Sequence, residues 1–220
     1  ALDERTNWRQ TAAESTRVGT DDYTTPIQNA VDVGADVLIF CYYGLAGASV
    51  LRQAEDIVPD DMGVVVPLFN RPMARNAGGA LEGVVGTAHW DPVLENEATS
   101  VFVDAWQATA DSDGRSPNPS GLAHLAYVQL FQYAAAAERA GSLAADDVVS
   151  ELEGHTYTAG LGEEETLRAC DHQATRPVPV FRGLPEAEQS EGRYYDYVGM
   201  PTSIGYDCDE SPASECSFGE

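Results

Sequence analysis

Three short apolar runs, separated by helix-like segments, constrain this fold more than any other feature of the sequence. Residues 36–42 (DVLIFCY) and 62–69 (MGVVVPLF) are almost unbroken in branched and aromatic side chains, and 82–87 (EGVVGT) repeats the pattern. A strand covered on both faces needs such a run, whereas a strand wet on one face alternates, so the runs read as buried parallel strands. Between the first two, a turn bearing Gly44 and Gly47 leads into a helical pattern with Val50, Leu51, Ala54 and Ile57 on one face. A small-residue stretch at 77–80 leads into the third. Strand, helix and strand at this spacing make a βαβ unit with a right-handed crossover. The expected fold is α/β, an open parallel sheet with helices on both faces.

Around that core, Thr25-Pro26 opens a helix that runs through Ile27, Ala30 and Val31 to Gly34, with proline in its first turn. Residues 95–110 predict an amphipathic helix with Phe102 and Trp106 on one face, followed by a turn-rich loop at 114–119. The stretch 122–140, rich in alanine and leucine, is the clearest helix, and Gly141 closes it. A shorter helix follows at 146–152. Residues 166–168 and 177–181 read as the strands of a hairpin. From Gly183 the chain is rich in Pro, Gly, Glu and Tyr and reads as an irregular tail. There is no internal repeat.

Charge narrows the partners. The 220 residues carry 36 acids against 12 basic side chains, all arginine, for a net charge of −24. Nucleic acid and anionic membrane surfaces would both repel such a chain. The acids are scattered (Asp21-Asp22, Asp60-Asp61, Asp146-Asp147, Glu163-Glu164-Glu165) and form no ligand-spaced loop. Together with the absence of lysine, this favours a solvated acidic coat of the halophilic kind over an acidic binding surface, and a fold that depends on salt screening. No apolar run is long enough to cross a membrane, and no basic, apolar leader stands at Ala1, so the chain reads as a mature form or a fragment.

Chemistry-bearing motifs are scarce. Cys41, Cys170, Cys208 and Cys216 lack CxxC spacing and give no zinc signal. Cys41 lies in an apolar run and reads as a buried thiol; Cys208 and Cys216 lie in a polar tail where an oxidising compartment would favour a bridge. His89, His124, His155 and His172 show no i, i+4 pair, and neither HExxH nor DxDxDG occurs. Asp171-His172 has no GxSxG partner motif. Gly44 to Gly47 and Gly78-Gly79 are not a GxGxxG fingerprint, so no cofactor is expected.

Several segments, in order, resemble the class I solute-binding proteins of ABC importers, of the branched-chain amino acid (Leu/Ile/Val) type. Residues 19–28 (GTDDYTTPIQ) with 34–38 (GADVL) are similar to the opening of that family's second lobe. Tyr42-Tyr43-Gly44 through Leu51-Arg52-Gln53-Ala54 looks like its strand, cleft loop and LxRQA helix end. Residues 80–84 (ALEGV) and 90–92 (WDP) resemble its EGV strand and the crossing between lobes. Residues 137–142 (AERAGS) resemble a helix end, and 167–173 (LRACDHQ) with 177–180 (PVPV) a hairpin. The resemblance covers residues 19–182 and leaves 184–220 uncovered. It implies that most of an N-terminal lobe is missing. The implied division is a second-lobe βαβ core at 1–91, an interlobe crossing with long helices at 92–145, a return hairpin at 146–183, and an irregular acidic tail at 184–220.

In an open α/β sheet, ligands sit beyond the carboxyl ends of the strands. That points to Tyr42, Tyr43 and Gly44 after one run, and to Phe69 and Asn70 after the next, positions where the resemblance also places cleft contacts. For Tyr42 and Phe69 an ordinary core aromatic is the plainer reading, and Trp90 either lines the cleft or, the favoured reading, plugs the interlobe seam. His124, at the start of the long helix, stands where the family often has an aromatic facing ligand; a structural histidine is the plainer reading. The resemblance implies a non-enzymatic, extracytoplasmic binding component, lipid-anchored at full length, that hands a small amino acid, amide or carboxylate to a membrane permease. A ligand-sensing receptor domain, a remnant that binds nothing, and a flavodoxin-like enzyme remain alternatives. Apolar surface left by the missing lobe would favour a homodimer.

Overall fold

The computed structural model describes residues 7–113, 116–158, 160–201, 207–210 and 213–215. In chain order run α1 (Thr24–Asp32), β1 (Val37–Ile39), α2 (Gly44–Glu55), β2 (Gly63–Val66), α3 (Arg71–Ala77) and β3 (Val85–Thr87). Then come α4 (Glu97–Asp113), α5 (Gly121–Ala140), α6 (Ala145–Leu152), β4 (Thr156–Tyr157), β5 (Glu165–Leu167), β6 (Ala174–Thr175), β7 (Val180–Gly183) and β8 (Tyr195–Gly199). The chain divides into two compact units, residues 1–88 with 181–196, and residues 89–180 with 197–220.

The first unit is built on a sheet of order β1-β2-β3-β7-β8. β1 runs parallel to β2 with Val37 opposite Gly63, and β2 parallel to β3 with Val66 opposite Gly86, as the apolar runs predict. The strands are shorter than the runs, and β1 departs from expectation in a second way. It is an edge strand, so Val37 and Leu38 are only half-buried and Ile39 is exposed. Cys41, just beyond it, is an exposed free thiol and not a buried one. Gly86 is dictated by packing: a Cβ there would stand 2.3 Å from the Val66 carbonyl oxygen and 2.6 Å from the Phe69 ring.

The stretch after Gly183, expected to be irregular, contains a 3-10 turn (Glu186–Glu188) and β8. β7 also departs from expectation. Its residues read as one strand of a hairpin with 166–168, yet they join the five-stranded sheet, where Gly183 N–H donates to the Val84 carbonyl at 2.9 Å.

The second unit holds the helices α4, α5 and α6 and a small antiparallel sheet of order β4-β5-β6. The true partner of β5 in the hairpin is β6, with Thr166 opposite Thr175. In its turn Arg168 Nε donates to Asp171 Oδ1 at 3.0 Å, which also accepts the Gln173 N–H. Asp171-His172 is therefore a turn element. The disulfide joins Cys170 in that turn to Cys208 across 5.9 Å between Cα atoms; Cys216 lies outside the described residues. The sequence leaves the pairing open, and only folding reveals which thiols lie at bridging distance. α5 begins on a Ser120 cap that accepts the Ala123 N–H, and ends at Gly141 in the left-handed conformation (φ 61°), as its sequence predicts.

Candidate functional site

Five of the residues singled out from sequence fall in the first unit. Tyr42 turns towards the segment before α1: its hydroxyl lies 2.8 Å from Thr16 Oγ1 and its ring meets Tyr23 edge-on at 5.1 Å. Tyr43 is different, half exposed (50%) and on extended backbone at the start of α2, whose first turn it does not cap with a side chain. Gly44 follows at φ +59°, a conformation that L side chains rarely adopt, although nothing lies within 4 Å of a Cβ built there. At the carboxyl end of β1 the geometry thus presents an exposed phenol ring beside a helix start whose N–H groups lack a side-chain partner.

At the end of β2, Phe69 is buried and stacked on Tyr195 at 4.6 Å. Asn70 caps α3, accepting the Met73 N–H at 3.0 Å with its side-chain oxygen. The Asn70 carbonyl accepts the Tyr195 hydroxyl at 3.3 Å, while its Nδ2 is buried without a hydrogen-bond partner in the structure. Sequence reasoning missed Tyr195 altogether. Its signal was the alternating YYDYV of 194–198, hidden in a stretch whose glycines and acids suggested irregular chain.

Trp90 and His124 fall in the second unit, and there they meet. Their rings stack at 4.7 Å and 8° between planes, and Phe102 packs edge-on against both. Trp90 Nε1 donates to Thr99 Oγ1 at 3.1 Å. Gly121 allows the contact, because a Cβ on it would stand 2.7 Å from the Trp90 carbonyl oxygen. His124 hydrogen-bonds the Gly160 backbone, which favours the charged ring, but burial outweighs this and, with Arg176, lowers its pKa to about 4. The ring is neutral at pH 7, and its Nε2 is buried without a partner. Both residues are interior, as a structural role requires.

A second buried group went unread in the sequence. Glu165, placed among the scattered surface acids as the last of Glu163-Glu164-Glu165, is fully buried. It accepts the Leu161 N–H at 3.0 Å and pairs with Arg176 at 3.4 Å, and the Tyr157 hydroxyl lies 3.5 Å away. Burial raises its pKa, opposed by Arg176 and those hydrogen bonds. Asn96 completes the clasp, donating to the Leu161 carbonyl at 2.9 Å while its oxygen accepts the Thr99 N–H at the start of α4. An open groove of about 420 Å³ lies over this start, lined by Pro92, Leu94, Asn96, Thr99 and Val103, with Glu95 and Asp104 among its acids. No basic residue lines it, which disfavours anionic ligands there. Among the described residues no group of three His, Cys, Asp or Glu side chains is placed to hold a metal, and no helix is long and apolar enough to cross a membrane.

Solved structures share this fold. An amino acid ABC transporter substrate-binding protein of Pseudomonas fluorescens aligns with a TM-score of 0.75 at 20% identity, covering 93% of this chain and 54% of its own. A leucine-, isoleucine-, valine-, threonine- and alanine-binding protein of Brucella ovis aligns at 0.69 and 18%, covering 86% and 50%. A solute-binding protein of an ABC transporter from Rhodopseudomonas palustris, in complex with p-hydroxybenzoic acid, aligns at 0.69 and 16%, covering 84% and 50%. The chain thus spans about half the length of the structures it matches. No curated protein matches it significantly. The family model described as periplasmic binding protein matches residues 8–188, most of the chain, and the chain belongs to the periplasmic binding protein family.

Proposed function

We propose that the chain is part of the extracytoplasmic solute-binding component of an ABC importer, holding a small amino acid or a related amide or carboxylate. Within this chain the reading rests on Tyr43, the half-exposed ring at the carboxyl end of β1. Beside it, left-handed Gly44 opens a helix of 12 residues without a side-chain cap. The positive end of such a helix favours a carboxylate, and an aromatic face packs on an apolar side chain. Asn70 Nδ2 supplies a further donor without a partner. The named ligands of the Brucella and Rhodopseudomonas proteins share this chemistry, a carboxylate on a small organic body. Binding is the whole task in this reading: the ligand is released unchanged to a membrane permease. Lipid anchoring at full length and a salt-adapted acidic surface belong to the same proposal. Cleft roles for Tyr42, Gly44, Phe69, Trp90 and His124 are weaker, since the polar atoms of Tyr42 and Trp90 already have protein partners.

Thermal unfolding in concentrated KCl, against amino acids, amides and small carboxylates including p-hydroxybenzoate, tests the reading. A ligand at a hundredfold excess over its dissociation constant adds about 2.7 kcal/mol of stability. Tyr43→Ala should abolish the shift while leaving the ligand-free midpoint unchanged, because the ring is exposed. A flat panel with a cooperative transition would overturn the reading in favour of a chain that folds but holds no ligand.

A further inference from the structure

The end of β2 is supported from β8, a strand weakly secured by its own contacts. β8 closes the five-stranded sheet with β7 as its neighbour, and Tyr195 is the one of its residues that is buried. That side chain makes two contacts at the candidate site. Its ring stacks on Phe69 at 4.6 Å, and its hydroxyl donates to the Asn70 carbonyl at 3.3 Å. Asn70 in turn caps α3 through the Met73 N–H and holds its Nδ2 in the same loop. A short terminal strand with one buried side chain is where a sheet opens at least cost.

The chain beyond β8 is fastened elsewhere. Cys208 is bonded to Cys170, which lies in the turn between β5 and β6. The bridge closes a ring of sequence separation 38. That ring leaves the second unit after residue 180, supplies β7 and Tyr195 to the first, and returns to the second at residue 197. Opening β8 inside a closed ring gains less conformational entropy than opening a strand tied from one side, so the bridge raises the cost of opening. The family match ends at residue 188, so β8 and Cys208 lie beyond it.

We propose that the Cys170–Cys208 bridge is a redox-sensitive fastening for β8, and that through Tyr195 it sets how firmly the loop at Asn70 is held. Tyr195 is a positioning residue in this scheme, acting through Phe69 and Asn70. The consequence for binding rests on the ligand reading of the β2 end; the fastening itself does not. Reduction by a dithiol breaks the S–S bond and leaves Cys170 and Cys208 as thiols. The dithiol supplies the two electrons and two protons and ends as its own disulfide. Asn70 Nδ2 then loses its fixed position, and a carboxylate held there is bound more weakly. An oxidising compartment keeps the bridge closed, which fits an extracytoplasmic protein.

Amide hydrogen exchange tests it, on a Cys41→Ser/Cys216→Ser background that prevents reshuffling with the other cysteines. With Cys170→Ser/Cys208→Ser added, exchange across Tyr195–Gly199 should be faster by about tenfold or more. Exchange at Met73 should rise several-fold, and the amides of β1 and β2 should be unchanged. The bridged chain in dithiothreitol should match the variant. Tyr195→Phe keeps the ring but not the hydroxyl. It should speed exchange at Met73 while β8 stays protected, a split that a packing role alone would not give. The probe ligand p-hydroxybenzoate should bind the bridge-free chain several-fold more weakly. Unchanged exchange in β8 without the bridge overturns the proposal. So does faster exchange in β8 with Met73 unmoved, a loss spread equally over β1 and β2, or equal affinity for p-hydroxybenzoate with and without the bridge. Exchange is read without ligand, so a chain that shows the expected protection pattern and binds nothing removes the ligand reading and leaves the fastening in place.

Discussion

The two units of this protein are held together by different physics. In the first, a parallel ladder and apolar packing carry the core: Phe69, Val66, Leu81, Phe181 and Tyr195 are buried, and backbone and capping bonds pair most polar groups near them. In the second, the interior contains ionisable side chains. Glu165 and His124 are buried within one neighbourhood, linked through Gly160 and Leu161, and Arg176 pairs with the former while donating to the His89 carbonyl. A disulfide staples the turn that follows β5. A core made of hydrocarbon is indifferent to pH and forgiving of small losses. One built around a buried ion pair is specific in geometry and costly to break in half.

The sharpest break in that comparison is Glu165→Ala. It strands Arg176 opposite an empty site and frees the Leu161 N–H, and removing one partner of a buried pair costs roughly 3–5 kcal/mol. Calorimetry should show the second unit melting first, with the transition of the first unit retained; a single transition shifted as a whole would mean that the two unfold as one.

Acid should separate the units next. His124 has a folded pKa depressed to about 4 from 6.5. Its contribution is therefore present above the unfolded value and is lost as pH falls from 6.5 towards 4, on the order of 3 kcal/mol over that window. Glu165 works in the opposite sense. Its raised pKa means that the folded state gains on the unfolded one as pH falls through that raised value. His124→Phe keeps a ring against Trp90 and removes the titration, so its unfolding midpoint should depend less on pH across this window than that of the wild type. An unchanged slope would remove His124 from the account.

The smallest expected effects are a matched pair of helix caps. Ser120→Ala in the second unit removes an acceptor for Ala123 N–H and should cost about 1 kcal/mol. Asn70→Ala in the first removes the acceptor for Met73 N–H but also a buried amide nitrogen that has no partner, so its net cost should be smaller. Denaturant titration of both variants resolves the order, and a larger loss at Asn70 would mean that its Nδ2 is satisfied in solution.

Where local chemistry decides, the sequence was legible. The apolar runs around Val37, Val64 and Val85 became parallel strands, and the helix behind Pro26 and the helix ended by Gly141 stand where backbone preferences put them. The candidate site was half legible. The rule that ligands sit beyond strand ends nominates Tyr42, Tyr43, Phe69 and Asn70 alike, and only the packing shows that Phe69 stacks on Tyr195 and Tyr42 meets Tyr23. Glu165 looked like every other acid in the chain.

Those misses share one cause. Periodicity, capping residues and left-handed glycines act over a few residues, so the sequence alone determined element types, helix ends, the α/β class and the acidic, lysine-free character. Tertiary structure alone decided that β1 is an edge, that β7 and β8 join the first sheet, that Cys170 meets Cys208, and that Glu165 and His124 are interior. Each of these is a contact between segments far apart in the chain. Its free energy depends on what else has already packed there, and no local preference of the residues involved encodes it.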